Sequence, residues 1–108
     1  MLTKPLKNLI IKALEDLKGK NIIVLDVTEL TPMTDIMIIC TGTSNRHVKS
    51  LAKNVVERAK KRGEQPLGIE GEREGDWILI DLNSVVVHVM LAEVRTLYSL
   101  EKLWSCPS

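Results

Sequence analysis

The sequence predicts a single α/β domain in which a mixed sheet of about five strands carries helices packed on it. Three observations point there. Apolar residues recur at helical spacing in three segments, and compact β-branched runs lie between those segments. The resulting order is helix, two strands, helix, three strands, helix. At 108 residues the chain can bury one core, and residues 1–108 are expected to form one domain.

The first helix follows from Leu6, Leu9, Ile10, Ala13, Leu14 and Leu17, with Thr3 as a cap, Pro5 in the first turn and Gly19 as the stop. "NIIVLDV" (Asn21 to Val27) is a β-branched strand. A Thr-Pro turn at Thr31 and Pro32 leads to "DIMIICT" (Asp35 to Thr41), apolar at every alternation and so expected to be central and covered on both faces. From Thr43 or Ser44 a second helix turns Val48, Leu51, Ala52, Val55, Val56 and Ala59 inward and Glu57, Lys60 and Lys61 outward, with Gly63 at its stop. "LGIE" is a short strand, Glu70 to Asp76 a polar loop, and roughly Ala92 to Trp104 a last helix joining Val94, Leu97, Leu100 and Trp104.

"DWILIDLNSVVVHVM" is the most informative stretch. A two-residue turn at Asn83 and Ser84 sets Leu82 across from Val85, Ile80 from Val87 and Ile78 from Val89, a wholly apolar face that must be core. The other face pairs Asp81 with Val86, Leu79 with His88 and Trp77 with Met90. One carboxylate, one imidazole, a large aromatic and a thioether suit a protein-binding surface, or the cover of a helix packed there.

The formal net charge of +1 gives no general field toward nucleic acid or an anionic membrane, so any such contact must be local. Cys40 and Cys106 have no close Cys or His partner, which excludes a disulfide framework and zinc-site spacing and leaves two free thiols. The amphipathic N-terminus lacks the apolar core of a signal peptide, and no run reaches the ~20 apolar residues of a membrane span. The expected location is cytoplasmic.

Gly42, Thr43 and Ser44 between strand and helix could hold an anion, yet the P-loop glycine spacing and lysine are missing, and a capped turn explains the same residues. Arg46 and His47 then stand in the first turn, where the helix dipole disfavours cations. His88 has no second ligand at strand or helix spacing, which favours a structural or interface histidine. Asp26, Asp35, Glu70 and Asp81 lie near strand ends but form no D-x-D pair on one strand to share a metal. Arg62, Lys60 and Lys61 complement a helix C-terminus without any nucleic acid.

"TDIMIICTGTSNRHVKSLA", "PLGIEGEREGDWILIDLNSVVVHVM" and "EVRTLYSLEKLW", in that order, resemble the ribosomal silencing factor family, the RsfS or Iojap proteins, over nearly the whole chain to Trp104. The resemblance implies a cytoplasmic, non-catalytic factor without metal or cofactor. Such a factor binds the large ribosomal subunit through its ribosomal protein fourteen, on the surface facing the small subunit. There it blocks subunit joining and represses translation when nutrients are scarce. The resemblance also implies a nucleotidyltransferase-like fold, with Gly42 and Thr43 where those enzymes begin a helix. "LGIE" supplies Glu70 but no acidic partner two residues away, a departure that argues against two-metal nucleotidyl transfer.

Under this reading Trp77 is the first choice as anchor, followed by Met90, Asp81, Leu82, His88 and Tyr98. Leu82, on the core face, would make its contact from the hairpin tip. Glu70, Glu72, Glu74, Asp76 and Asp81 form an acidic rim for a basic ribosomal protein, with little direct nucleic-acid binding expected. The alternatives are a nucleotidyltransferase-like enzyme or nucleotide sensor using Gly42 to Ser44, and a homodimer joined through the Trp77 face.

Overall fold

The computed structural model describes residues 3–29 and 34–98. In chain order it contains α1 (Thr3–Asp16), β1 (Lys20–Asp26), β2 (Ile36–Gly42), α2 (Asn45–Lys61), β3 (Gly68–Glu70), β4 (Trp77–Asp81), β5 (Val85–Leu91) and α3 (Ala92–Tyr98). The strands lie in the order β1-β2-β5-β4-β3. The turn at Thr31 and Pro32, and Leu100, Trp104 and Cys106, lie outside the described residues, as does the side chain of Tyr98.

β2 pairs parallel to β5, and every other pairing is antiparallel. A parallel pair needs a crossover, which α2 and the strands after it supply. The expected hairpin register is present: Trp77 faces Met90, Ile78 faces Val89, Leu79 faces His88, Ile80 faces Val87 and Asp81 faces Val86. Leu82 N–H closes the turn on Val85 O at 2.9 Å, and Asn83 takes φ 72°. An Asp81 carboxylate oxygen accepts the Asn83 N–H at 2.9 Å, which holds that left-handed residue in place.

The two faces of the sheet are covered differently. Ile38, Cys40, Val85, Val87, Val89, Ile78 and Ile80 meet α1 and α2 in the main core, where Ile10, Leu14, Leu51 and Val55 are also buried. Asn54 on α2 donates to Ala13 O on α1 at 2.8 Å, and Arg58 pairs with Asp16. A smaller cluster of Val27, Met37, Ile39 and Met90 occupies the opposite face, with Leu25, Trp77 and Val94 partly buried against it. β2 is accordingly buried on both faces, as its unbroken apolar run requires.

Helix ends follow local chemistry. Ser44 is the α2 cap, its hydroxyl accepting the His47 N–H at 3.1 Å. Lys18, not Gly19, takes the left-handed conformation after α1, with φ 63°, while Gly19 N–H closes the helix on Leu14 O at 2.8 Å. The sequence reading put that stop on Gly19 because glycine is the commoner left-handed residue.

Gly71, at φ +84°, begins the loop back to β4, and a Cβ there would lie 2.0 Å from the Trp77 carbonyl oxygen. Gly71→Ala is expected to cost about 3 kcal/mol, combining backbone strain with a clash against main chain. Gly63→Ala, at φ +85° with nothing within 4 Å, should cost about 1 kcal/mol. Urea unfolding of the two variants checks this order, and a smaller cost at Gly71 contradicts it.

Candidate functional site

Three cross-strand rows build the face opposite α1 and α2: Trp77, Met90 and Thr41; Leu79, His88 and Ile39; Asp81, Val86 and Met37. α3 covers one end of this face. Its Val94 packs on the Met90 cluster. Arg95 is buried and donates to Asn21 O at 2.6 Å and Thr41 Oγ1 at 2.8 Å, fastening α3 across the ends of β1 and β2. This guanidinium was missed in the sequence, where a lone Arg in a short amphipathic helix gives no sign of burial.

The expected contact residues divide on this geometry. Met90 is 0% exposed, Leu82 3% and His88 5%. Met90 is thus a floor under Trp77 and not an exposed anchor, a correction caused by the packing of α3. Leu82 is core at the hairpin, and His88 offers almost no surface of its own. Trp77 and Asp81 are half-buried and reachable, with Leu79 and Val86 half-buried between them and Glu70 exposed beside Leu79. Ile23 and Leu25 on β1, also half-buried, lie on the same side of the sheet. The result is an apolar strip bounded by carboxylates.

The expected rim is divided too. Glu70 and Asp81 border the Trp77 face. Glu72 instead lines a groove beside α2, and Asn45 at the start of α2 donates to the Asp76 carboxylate and to Glu74 O.

Trp77 Nε1 donates to Nδ1 of His88 at 2.9 Å, and the rings stand 5.8 Å apart at 47°. Indole nitrogen is only a donor, so Nδ1 must be unprotonated and His88 a neutral Nε2–H tautomer. Burial pushes the His88 pKa down to about 4, which keeps the acceptor available. Cys40, also buried, has its thiol pushed up to about 11, an inert group in the core.

The turn at Gly42 to Ser44 closes on itself. His47 Nδ1 accepts the Thr43 N–H at 2.9 Å, while its Nε2 lies 2.7 Å from Leu17 O. The Thr43 amide is thereby taken within the turn, and the ring stitches α2 to the end of α1. A Cβ at Gly42 would lie 2.6 Å from Val48 Cγ2, so this glycine serves the close approach of strand to helix. Glu70 is on the β3 edge and Asp26 on β1 at the other edge of the sheet. No group of three His, Cys, Asp or Glu able to hold a metal occurs among the described residues. No helix among them is long and apolar enough to cross a membrane.

Comparison with known proteins supplies the relatives. The family described as "Ribosomal silencing factor during starvation" matches residues 3–108. Ribosomal silencing factor RsfS of Chromobacterium violaceum is 50% identical over 99 residues, covering 92% of this chain and 81% of its own length. The RsfS of Haemophilus influenzae is 44% identical, covering 89% and 94% respectively. A mouse protein named "Mitochondrial assembly of ribosomal large subunit protein 1" is 34% identical over 94% of this chain and 46% of its own length. A crystal structure of a Chromobacterium violaceum protein superposes with a TM-score of 0.95 at 46% identity, covering 100% of this chain and 90% of the other.

The His88 geometry sets a pH dependence. Its folded-state pKa, about 4, lies below the ordinary 6.5, so the unfolded chain binds the proton first as pH falls. The contribution is complete above about pH 6.5 and is lost between there and about pH 4, on the order of 3 kcal/mol. Urea midpoints at several pH values are expected to fall more steeply for the wild type than for His88→Leu. Parallel profiles would contradict the neutral, buried assignment.

Proposed function

This chain belongs to the ribosomal silencing factor family, and from that premise we propose that it binds the large ribosomal subunit through its ribosomal protein fourteen. The contact lies on the face toward the small subunit, and its occupation sterically prevents subunit joining and represses translation under nutrient limitation. No chemistry is performed.

The observation that carries the protein-binding part is the half-buried Trp77, held by His88 at one end of an apolar strip that runs through Leu79 to Asp81 and is flanked by Glu70. An aromatic fixed before binding loses little conformational entropy when a partner covers it, and such residues commonly dominate interface energy. Carboxylates at the margin favour a basic partner and speed its approach. Trp77, Asp81, Leu79 and Val86 are the proposed contacts. Met90 and His88 act from beneath, Leu82 supports the hairpin, and Tyr98 at the end of α3 completes the proposed set.

Co-sedimentation with purified large subunits tests the assignment. Trp77→Ala is expected to weaken binding at least about tenfold. Asp81→Asn keeps an oxygen for the Asn83 turn but removes the charge, and should weaken binding a few-fold with a smaller salt dependence. Thermal melts separate lost contacts from lost folding. Wild-type affinity in a folded Trp77→Ala protein would contradict the anchor assignment. Unchanged subunit joining at saturating wild-type protein would contradict the silencing mechanism.

A further inference from the structure

α2 concentrates the positive charge of the chain. Residues 45–62 hold seven of the fifteen Lys and Arg but only one of the fourteen Asp and Glu, Glu57, so the remainder is net acidic despite the overall +1. Arg46, Lys49, Lys53, Lys60 and Lys61 are exposed. Arg58 pairs with Asp16, whereas these five have no carboxylate within ion-pair distance among the described residues.

At 3.6 residues per turn, Arg46, Lys49, Lys53 and Lys60 fall within an arc of about 60° and extend over roughly 21 Å of helix. Lys49, Lys53 and Lys60 border a groove of about 470 Å³ between α2 and the β3–β4 edge, floored by Val56, Ile69 and Ile78. Their side chains are exposed at its margin, where long aliphatic stems suit an apolar border and the ammonium groups face water. The ridge belongs to the helical layer, on the opposite side of the sheet from Trp77.

We propose that the Arg46, Lys49, Lys53 and Lys60 ridge is a second contact surface that takes the phosphate backbone of RNA. A line of like charges on a helix is the electrostatic footprint of a polyanion, and phosphates supply regularly spaced charge without requiring base contacts. An acidic peptide fits less well. To use the apolar floor it would have to enter the groove, where Glu57 and Glu72 repel it, whereas a phosphate backbone runs along the outer ridge and leaves the groove empty. Protein recognition and RNA recognition are thereby placed on opposite layers and can operate together. RNA binding stands on the ridge alone; its assignment to RNA of the large subunit rests on the ribosomal reading above.

Fluorescence anisotropy of the whole chain with a labelled RNA duplex of about 20 base pairs, between about 50 and 200 mM salt, tests the proposal. Saturable binding is expected, with a log-affinity against log-salt slope of about −3.6 from four contacts. Replacing Lys49→Gln, Lys53→Gln and Lys60→Gln together should lower affinity at least tenfold and reduce the slope to about −1, with the melting temperature unchanged. Lys12→Gln on α1 should bind as wild type. No saturable binding at the lowest salt, or wild-type affinity in the folded triple variant, overturns the proposal. So does competition by polyglutamate equal to that by unlabelled duplex, which would assign the ridge to an acidic protein. A chain that binds duplex but not large subunits contradicts the ribosomal reading and leaves this one standing; the reverse contradicts only this one.

Discussion

The hydrogen bond from the Trp77 indole to Nδ1 of His88 fixes the central feature of this protein. It exists because β4 and β5 pair in a register that sets Trp77 and His88 on one face, Trp77 across from Met90 and His88 across from Leu79. It persists because burial keeps His88 neutral and therefore an acceptor. A donor-only ring against an acceptor with one available tautomer leaves the indole little freedom. The half-buried aromatic is consequently a preformed feature of the surface.

The unequal covering of the sheet explains why that feature remains accessible. α1 and α2 bury the centre of the other face, with Ile38, Val85, Val87 and Val89 all at 0% exposure. Among the described residues α3 covers Ala92–Tyr98 and shelters one end of the Trp77 face, held by Arg95 against Asn21 and Thr41. The strip through Leu79 and Val86 stays half-buried, bordered by carboxylates, while the chain's densest positive charge lies on α2 in the other layer. Nearly neutral overall, the protein is bipolar in detail, and the two surfaces suit partners of opposite charge.

Much of this was legible in the sequence. Alternation through "WILIDL" and "SVVVHVM", pinned by a two-residue turn, determines both the register and the core face. The helical segments and the doubly buried β2 follow from spacing and β-branched composition. What alternation cannot supply is the cover on each face: Met90 shares a side with Trp77, but only the packing of α3 decides that one is floor and the other surface. The burial and partners of polar residues at helical positions escape the linear pattern for a related reason. Arg95 and His47 look solvated in a linear pattern, yet their partners, Asn21, Thr41 and Leu17, come from distant segments. The acidic loop divides between the two sides because Asn45 anchors Glu74 and Asp76 to α2.

Under the proposed function, a large-subunit protein lies directly against the strip between Trp77 and Asp81. A photo-activated cross-linking residue at Leu79, in the middle of that strip, reads this contact with the folded chain bound to purified large subunits. The expected product is a single major cross-link to ribosomal protein fourteen, absent when the same group is placed at Lys12 on α1. Cross-links from position 12 with none from position 79, in a chain that still co-sediments with large subunits, would contradict the central claim.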